Sequence, residues 1–232
     1  MNYKTIVFFD LETTGLDPIK DRIIEIGFLQ VDFKTLEVIN ELNLLVNQDV
    51  EITEATIKIN GITKEMLIEN GVSEINMFNQ IQNYITDDCL LVAYNTQFDI
   101  NFVMQLYRRC NNDLSYMIKN DLLDIMAVYR DRHDFPHRLQ NAIEMYNVDL
   151  ENTHRALDDI KATFEVFKAM SKEKKNVAMY INKFGYLAKY GVSYEKLPQV
   201  EYISQGYNGM NYIINTLKGG YQEWVKRKNQ DY

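Results

Sequence analysis

Along the first 46 positions the apolar residues gather into three runs, 4–9, 22–32 and 36–46, separated by the turn-prone stretches TTGLDPIKD and DFKT. Within IIEIGFLQV and EVINELNLLV apolar and polar residues partly alternate, as in strands of a sheet with one face covered. The pattern then changes period. NGITKEMLIENGVS predicts a loop with short helical turns, and 74–85 repeats at helical spacing. LLVAY (90–94) is short and wholly apolar, a buried strand, and 97–110 follows as a helix. YMIKND predicts a strand ended by Asp121, with helices over 122–130, 138–146 and 156–170. Strands first, then alternating helix and strand, predict an α/β layered domain ending near residue 170.

Two helices break their own pattern. In 97–110 the polar stripe is Gln97, Asn101, Gln105, Arg108 and Asn112, predicted to face solvent, with Phe98, Phe102, Val103 and Leu106 facing the core. Asp99 falls on the apolar side. In 156–170 the solvent stripe is Asp158, Lys161, Glu165, Lys168 and Lys172, while Ala156, Ile160, Thr163, Phe164 and Phe167 face inward. Asp159 lies with the inward set. A third anomaly ends the most hydrophobic strand. In IVFFDLETTGLD, Asp10 and Glu12 are two apart and so share a face if the chain stays extended.

Taken singly, Asp10 or Glu12 reads as a turn or cap residue, and Asp99 as an acid near a helix N-terminus. Taken together, four carboxylates are aimed where apolar neighbours belong. A buried ionised carboxylate without a partner costs several kcal/mol and tends to protonate instead. A hard divalent cation is the usual remedy, and paired Mg²⁺ or Mn²⁺ ions suit phosphoryl chemistry. His154, in NTHRALDD, lies five residues before Asp159, where an imidazole of ordinary pKa, ~6.5, can accept a proton from water. His133 and His137 flank FP in a charged loop and are expected at the surface.

These segments resemble the DEDD superfamily of 3′–5′ exonucleases, in its DnaQ-like, histidine-containing branch. IVFFDLETTGLD is similar to the first motif, RIIEIGFLQVD to the strand after it, VAYNTQFDINFV to the second motif and HRALDDIKAT to the third, over roughly residues 3–170. The resemblance implies a ribonuclease-H-like fold, a mixed five-stranded sheet flanked by helices. It implies release of 5′-mononucleotides from a 3′ end by two-metal hydrolysis. Asp10, Glu12, Asp99 and Asp159 would then hold two divalent cations, Mg²⁺ or Mn²⁺, with His154 as general base. Thr13 would contact the terminal nucleotide. NGIT resembles the loop that packs on the terminal base, with Gly61 and Ile62 in place and Asn60 where a His is common. Asn95 occupies a second-motif position in which a His–Asn pair is frequent and Tyr94–Asn95 stands here.

Composition narrows the setting. The chain has 232 residues, of which 46% are hydrophobic and 25% charged. That is an ordinary globular balance. With no apolar run near 18 residues and no signal-type cleavage pattern, a cytoplasmic protein without membrane contact is expected. Cys89 and Cys110 lack metal-ligand spacing and read as buried thiols. No nucleophile elbow, Gly-rich phosphate loop or zinc-type His pair points to another enzyme class.

Charge is divided unequally. Residues 1–170 hold 15 Lys and Arg against 28 Asp and Glu, a net of −13, whereas residues 171–232 hold 10 against 5, a net of +5, and nine of the sixteen tyrosines. This basic extension, expected to be mainly helical, has Tyr186, Tyr190 and Tyr194 at four-residue steps and Trp224 beside Lys226, Arg227 and Lys228. It reads as a packed appendage, as a surface for single-stranded nucleic acid, or as a polymerase-binding segment. The expected partner is nucleic acid with a free 3′ end, single-stranded or frayed, with a DNA polymerase as a further candidate. The substrate expectation is DNA, from a proofreading-type or free-standing nuclease. The alternatives are an RNA 3′-end trimming enzyme and a catalytically inactive module that only binds a partner.

Overall fold

The computed structural model describes residues 3–216. Its centre is a five-stranded mixed sheet in the order β3-β2-β1-β4-β5. β1 (Thr5–Thr13), β2 (Ile23–Asp32) and β3 (Val38–Leu45) form an antiparallel meander, and β4 (Cys89–Ala93) and β5 (Leu122–Asp124) add parallel to β1. The two-residue period of β1 divides the core. Ile6 and Phe8 enter one layer, whereas Val7, Phe9 and Leu11 enter the other.

The helices are α1 (Glu54–Asn60), α2 (Lys64–Asn70), α3 (Glu74–Ile81), α4 (Thr96–Asn111), α5 (Ile125–Arg132), α6 (Leu139–Met145) and α7 (Ala156–Glu173). α3 and α4 cover the Val7 face, and α5, α6 and α7 cover the Ile6 face, where Phe8 packs on Phe164 and Phe167. α7 lies close to β2 because residue 27 is glycine. A Cβ there would stand 2.6 Å from Ile160 Cδ1 and 3.2 Å from the Ala156 backbone. No helix among the described residues is long and apolar enough to cross a membrane.

Several local expectations are corrected. The strand expected to end at Asp121 lies instead at Leu122–Asp124, and α5 starts only at Ile125. A three-residue strand is too short for either period to show. α1, not foreseen, is marked by its caps: Thr53 accepts from the Thr56 N–H, and Gly61 closes the helix at φ 71°. His137 is buried rather than superficial, its carbonyl accepting from the Tyr94 hydroxyl, and His133 is partly buried and stacks on Tyr129. Cys89 is buried and Cys110 partly so, both as free thiols.

The described part of the extension is not mainly helical. After α7 come a 3-10 turn (Val177–Tyr180), the parallel pair β6 (Lys183–Leu187) and β7 (Glu201–Gln205), and a short helix at 212–216. Gly185, Gly191 and Pro198 interrupt what the tyrosine spacing suggested as helix. Val177, Tyr180, Ile203, Ile213 and Ile214 join the core on the α7 side. Buried Asp131 ties the extension down, accepting from the Tyr180 hydroxyl, Gln205 Nε2 and the Ile213 N–H. Trp224, Lys226, Arg227 and Lys228 lie outside the described residues.

The extension also explains a failed solvent stripe. Gln97, Asn101 and Arg108 of α4 are buried. Gln97 Nε2 donates to the Ser193 and Glu195 carbonyls, Asn101 exchanges bonds with Glu195, and Arg108 grips the Glu195 carboxylate at 2.7 and 3.0 Å. The polar residues predicted to meet water meet residues 193–195.

Candidate active site

Asp10 sits directly opposite Gly27 in the β1–β2 ladder, and paired residues project to the same face. Since the missing Cβ of Gly27 would point into α7, Asp10 and, two residues on, Glu12 face the N-terminal turn of α7. Asp159 lies in that turn and is 6% exposed, while Asp158 next to it is exposed. Asp99, 3% exposed, is in the first turn of α4. Ligand atoms of Glu12, His154 and Asp159 lie within 4.8 Å of one another. Asp10 is close enough to Asp99, Asp159 and Glu12 for each to disfavour its charge.

The electrostatics follow from burial. Burial, then Asp99, Asp159, Glu12 and Glu25, pushes the Asp10 carboxyl far above its ordinary range. Asp99 is pushed the same way by burial, with Glu12 and Asp124 adding to it, while nearby backbone amides pull it back. Glu12 is pushed up to about 7 by burial, against a hydrogen bond from Asn60. Asp159 is pushed up to about 7 by burial, against the Thr153 N–H that donates to Oδ1 at 3.0 Å. None of the four makes a salt bridge among the described residues. A cluster of buried and partly buried carboxylates with no salt-bridged partner among the described residues is a donor set suited to hard divalent ions.

Three residues support the cluster, of which Glu25 and Asp124 were not singled out in the sequence. Glu25, fully buried opposite Glu12, accepts from Arg155 Nε at 3.0 and 3.2 Å, from the same guanidinium at 2.7 Å, and from the Ala156 N–H at 3.1 Å. It caps α7 and fixes the chain beside His154. An acid inside the buried run RIIEIG was the available signal. Asp124, also buried, accepts from the Asn95, Thr96 and Met126 N–H groups and so holds the start of the helix bearing Asp99. Asn60 Nδ2 donates to Glu12 Oε2 at 3.0 Å, and its Oδ1 accepts from the Ile62 N–H. Asn60 is therefore in contact with the acidic cluster without the histidine expected at its place.

The remaining predicted residues divide. His154 is exposed, at φ 54°, at the mouth of the cluster. Thr13 follows a bulge after Glu12, and its hydroxyl donates to the Gly15 carbonyl at 2.7 Å. Asn95 is exposed at φ 73°, with its side chain free of any capping bond. Gly61 is exposed and open. Ile62 departs from expectation: it is 0% exposed, packed with Ile24 and Leu67, and offers no side-chain surface to a base. Its apolar side chain is worth more in the core than at the rim.

Comparison with known proteins gives the family and the fold. The sequence model of the RNase T family, described as Exonuclease, matches residues 7–167. A PolC-type DNA polymerase III from Lacticaseibacillus paracasei is 32% identical over 169 residues, 72% of this chain and 11% of that protein. The 3′-5′ exonuclease DinG of Staphylococcus epidermidis is 28% identical over 79% of this chain and 20% of its own length. The chain thus spans a fifth or less of these relatives. Exonuclease I of E. coli, solved with a dT13 oligonucleotide, superposes with a TM-score of 0.67 at 20% identity, over 76% of this chain and 43% of that one, and so shares the fold. With the family match covering the strands and helices that carry all four carboxylates, the chain belongs to the RNase T exonuclease family within the DEDD superfamily of 3′–5′ exonucleases.

Proposed function

We propose that this chain is a metal-dependent 3′–5′ exonuclease that releases 5′-mononucleotides from DNA. The observation that carries it is the gathering of Glu12, Asp159 and His154 ligand atoms within 4.8 Å of one another, with Asp10 and buried Asp99 near enough to interact with the same carboxylates and none of the four salt-bridged among the described residues. These four carboxylates would hold two divalent ions, Mg²⁺ or Mn²⁺. Bound there, such ions acidify water and stabilise charge on the attacking and leaving oxygens. The imidazole of His154 takes the proton of the attacking water as its oxygen bonds to phosphorus and the bond to the 3′ oxygen breaks. Glu25 and Arg155 keep that imidazole at the mouth by clamping the chain that follows it. Thr13, Asn95 and the Gly61 turn surround the place of the terminal nucleotide.

The PolC-type relative supports DNA as substrate and a proofreading setting with a DNA polymerase as partner. The test uses a 3′-mismatched DNA primer and an RNA of the same sequence, each with Mg²⁺ and with EDTA. Removal of the mismatched nucleotide in Mg²⁺ alone is expected. Preference for the RNA would turn the assignment to RNA trimming, and inactivity on both would leave a binding module.

A further inference from the structure

The extension brings a second recognition surface to the edge of the acidic cluster. Residues 190–195 pass over the start of α4, where the Tyr194 ring packs edge-on against Phe98, 5.8 Å between centroids. Asp99 is the next residue after Phe98, and Tyr194 lies near enough to it to feel its charge. Between this segment, α4, α5 and β6 is a cavity of about 230 Å³, lined among others by Asn95, Arg130, Tyr186, Tyr190 and Tyr194. That is below the roughly 300–1,000 Å³ of sites enclosing a drug-sized ligand, and suits one part of a longer molecule.

The lining is unusual for a packing defect. Tyr190 is 68% exposed, and Tyr194 holds its place at φ 64°, a left-handed conformation costly for a non-glycine residue. Arg130 is 8% exposed, makes no ion pair among the described residues, and leaves its buried Nε–H without a partner. Among the described residues its other nitrogens donate to the Gly185 carbonyl and the Met126 sulfur, and the buried Asp124 carboxylate, held by backbone N–H groups at the start of α4, lies near enough to interact with its charge. Aromatic faces beside a cation, next to Asn95 and the first turn of α4, make a surface that accepts any base by stacking and favours a nearby phosphate.

We propose that this cavity is a subsite for an internal nucleotide of the substrate strand, with the base against Tyr190 and Tyr194 and Arg130 supplying positive charge behind it. The inference rests on the exonuclease assignment and adds to it. The subsite lies on residues beyond the family match, which ends at 167. It makes affinity depend on strand length and binds a strand rather than a duplex, because a stacked base must be unpaired.

The experiment compares wild type with Tyr190→Ala, Tyr194→Ala and the two Tyr→Phe variants on dT2 and dT10, and measures 5′-fluorescein-dT10 binding by anisotropy in an Asp99→Asn background. Each alanine variant is expected to raise the ratio of dT10 to dT2 KM about ten-fold and to weaken dT10 binding as much, while phenylalanine restores both. Exposed Tyr190 contributes little to packing, so an unchanged melting temperature in that variant separates binding from folding. If wild type neither cleaves nor binds DNA, the exonuclease assignment fails. If it does both and the alanine variants keep the wild-type KM ratio and affinity, the subsite alone is overturned. Competition by dTMP that disappears in Tyr190→Ala would make the cavity a product site and overturn the strand assignment.

Discussion

Asn60 Nδ2 donates to Glu12 Oε2 at 3.0 Å, joining the end of α1 to the end of β1 across 48 residues of sequence. The Asn60 amide is locked by the Ile62 N–H on its oxygen and by burial. It can therefore only donate to Glu12. Groups that orient a metal-binding carboxylate typically change metal affinity or activity ~10–100-fold when removed. Asn60→Ala is expected to need about ten times more Mg²⁺ for half-maximal activity, and Asn60→Asp more again, because it adds a negative charge. An unchanged Mg²⁺ titration in both would remove Asn60 from the site.

Glu25 and Arg155 predict a stability effect. Breaking a buried pair costs ~3–5 kcal/mol, and because the Arg155 side chain is about a third exposed (36%) the loss in Arg155→Ala should be nearer ~2–3 kcal/mol. The double variant Glu25→Gln/Arg155→Met should lose less than Arg155→Ala, since no charge is left buried. Urea unfolding measures both. Equal losses would mean that the pair contributes only packing.

The pH dependence of the metal-free protein has a definite sign. Glu12 and Asp159 move from ordinary carboxyl values up to about 7 in the folded chain, and Asp10 and Asp99 are raised strongly. Raised carboxyls contribute stability that is complete below about pH 4 and lost as pH rises through about 7. In EDTA the melting temperature should fall between pH 5 and 8. Mg²⁺ should restore it at pH 8. Asp99→Asn should flatten the fall and shrink the Mg²⁺ response, while abolishing activity. A metal-free melting temperature that rises across this window would contradict the buried cluster.

His154, Asp158 and Asp159 test the register of α7. His154→Ala should lose ~10²–10⁴-fold in rate, the usual worth of a general base, with Mg²⁺ still stabilising the fold. Asp159→Ala should be severe. Asp158 is exposed and accepts from the Thr153 hydroxyl, so Asp158→Ala should be mild. Sensitivity at Asp158 with tolerance at Asp159 would exchange their places.

What the sequence made legible was whatever a period can carry. The strands β1 to β3 and the helices α4 and α7 follow alternation and 3.6-residue spacing, and the same spacing turns Asp99 and Asp159 inward. The strand expected to end at Asp121 lies at Leu122–Asp124 because three residues have no period to fix it, and α1 escaped because its cues are caps rather than apolar spacing. The α4 stripe failed for another reason. Gln97, Asn101 and Arg108 are polar, yet their partners lie some 90 residues away in the extension, and no local pattern encodes a polar face buried against a polar segment. Glu25 was hidden likewise, since its partner Arg155 is remote in sequence.

The central claim is the direction and the metal dependence of cleavage. A 5′-labelled single-stranded DNA of 20 nucleotides, incubated with the wild-type chain in Mg²⁺, should shorten stepwise from its 3′ end into a ladder of labelled products, each one nucleotide smaller. The ladder should be absent in EDTA and with Asp99→Asn. Release of the labelled 5′ nucleotide first, or an undiminished ladder in EDTA, would contradict it.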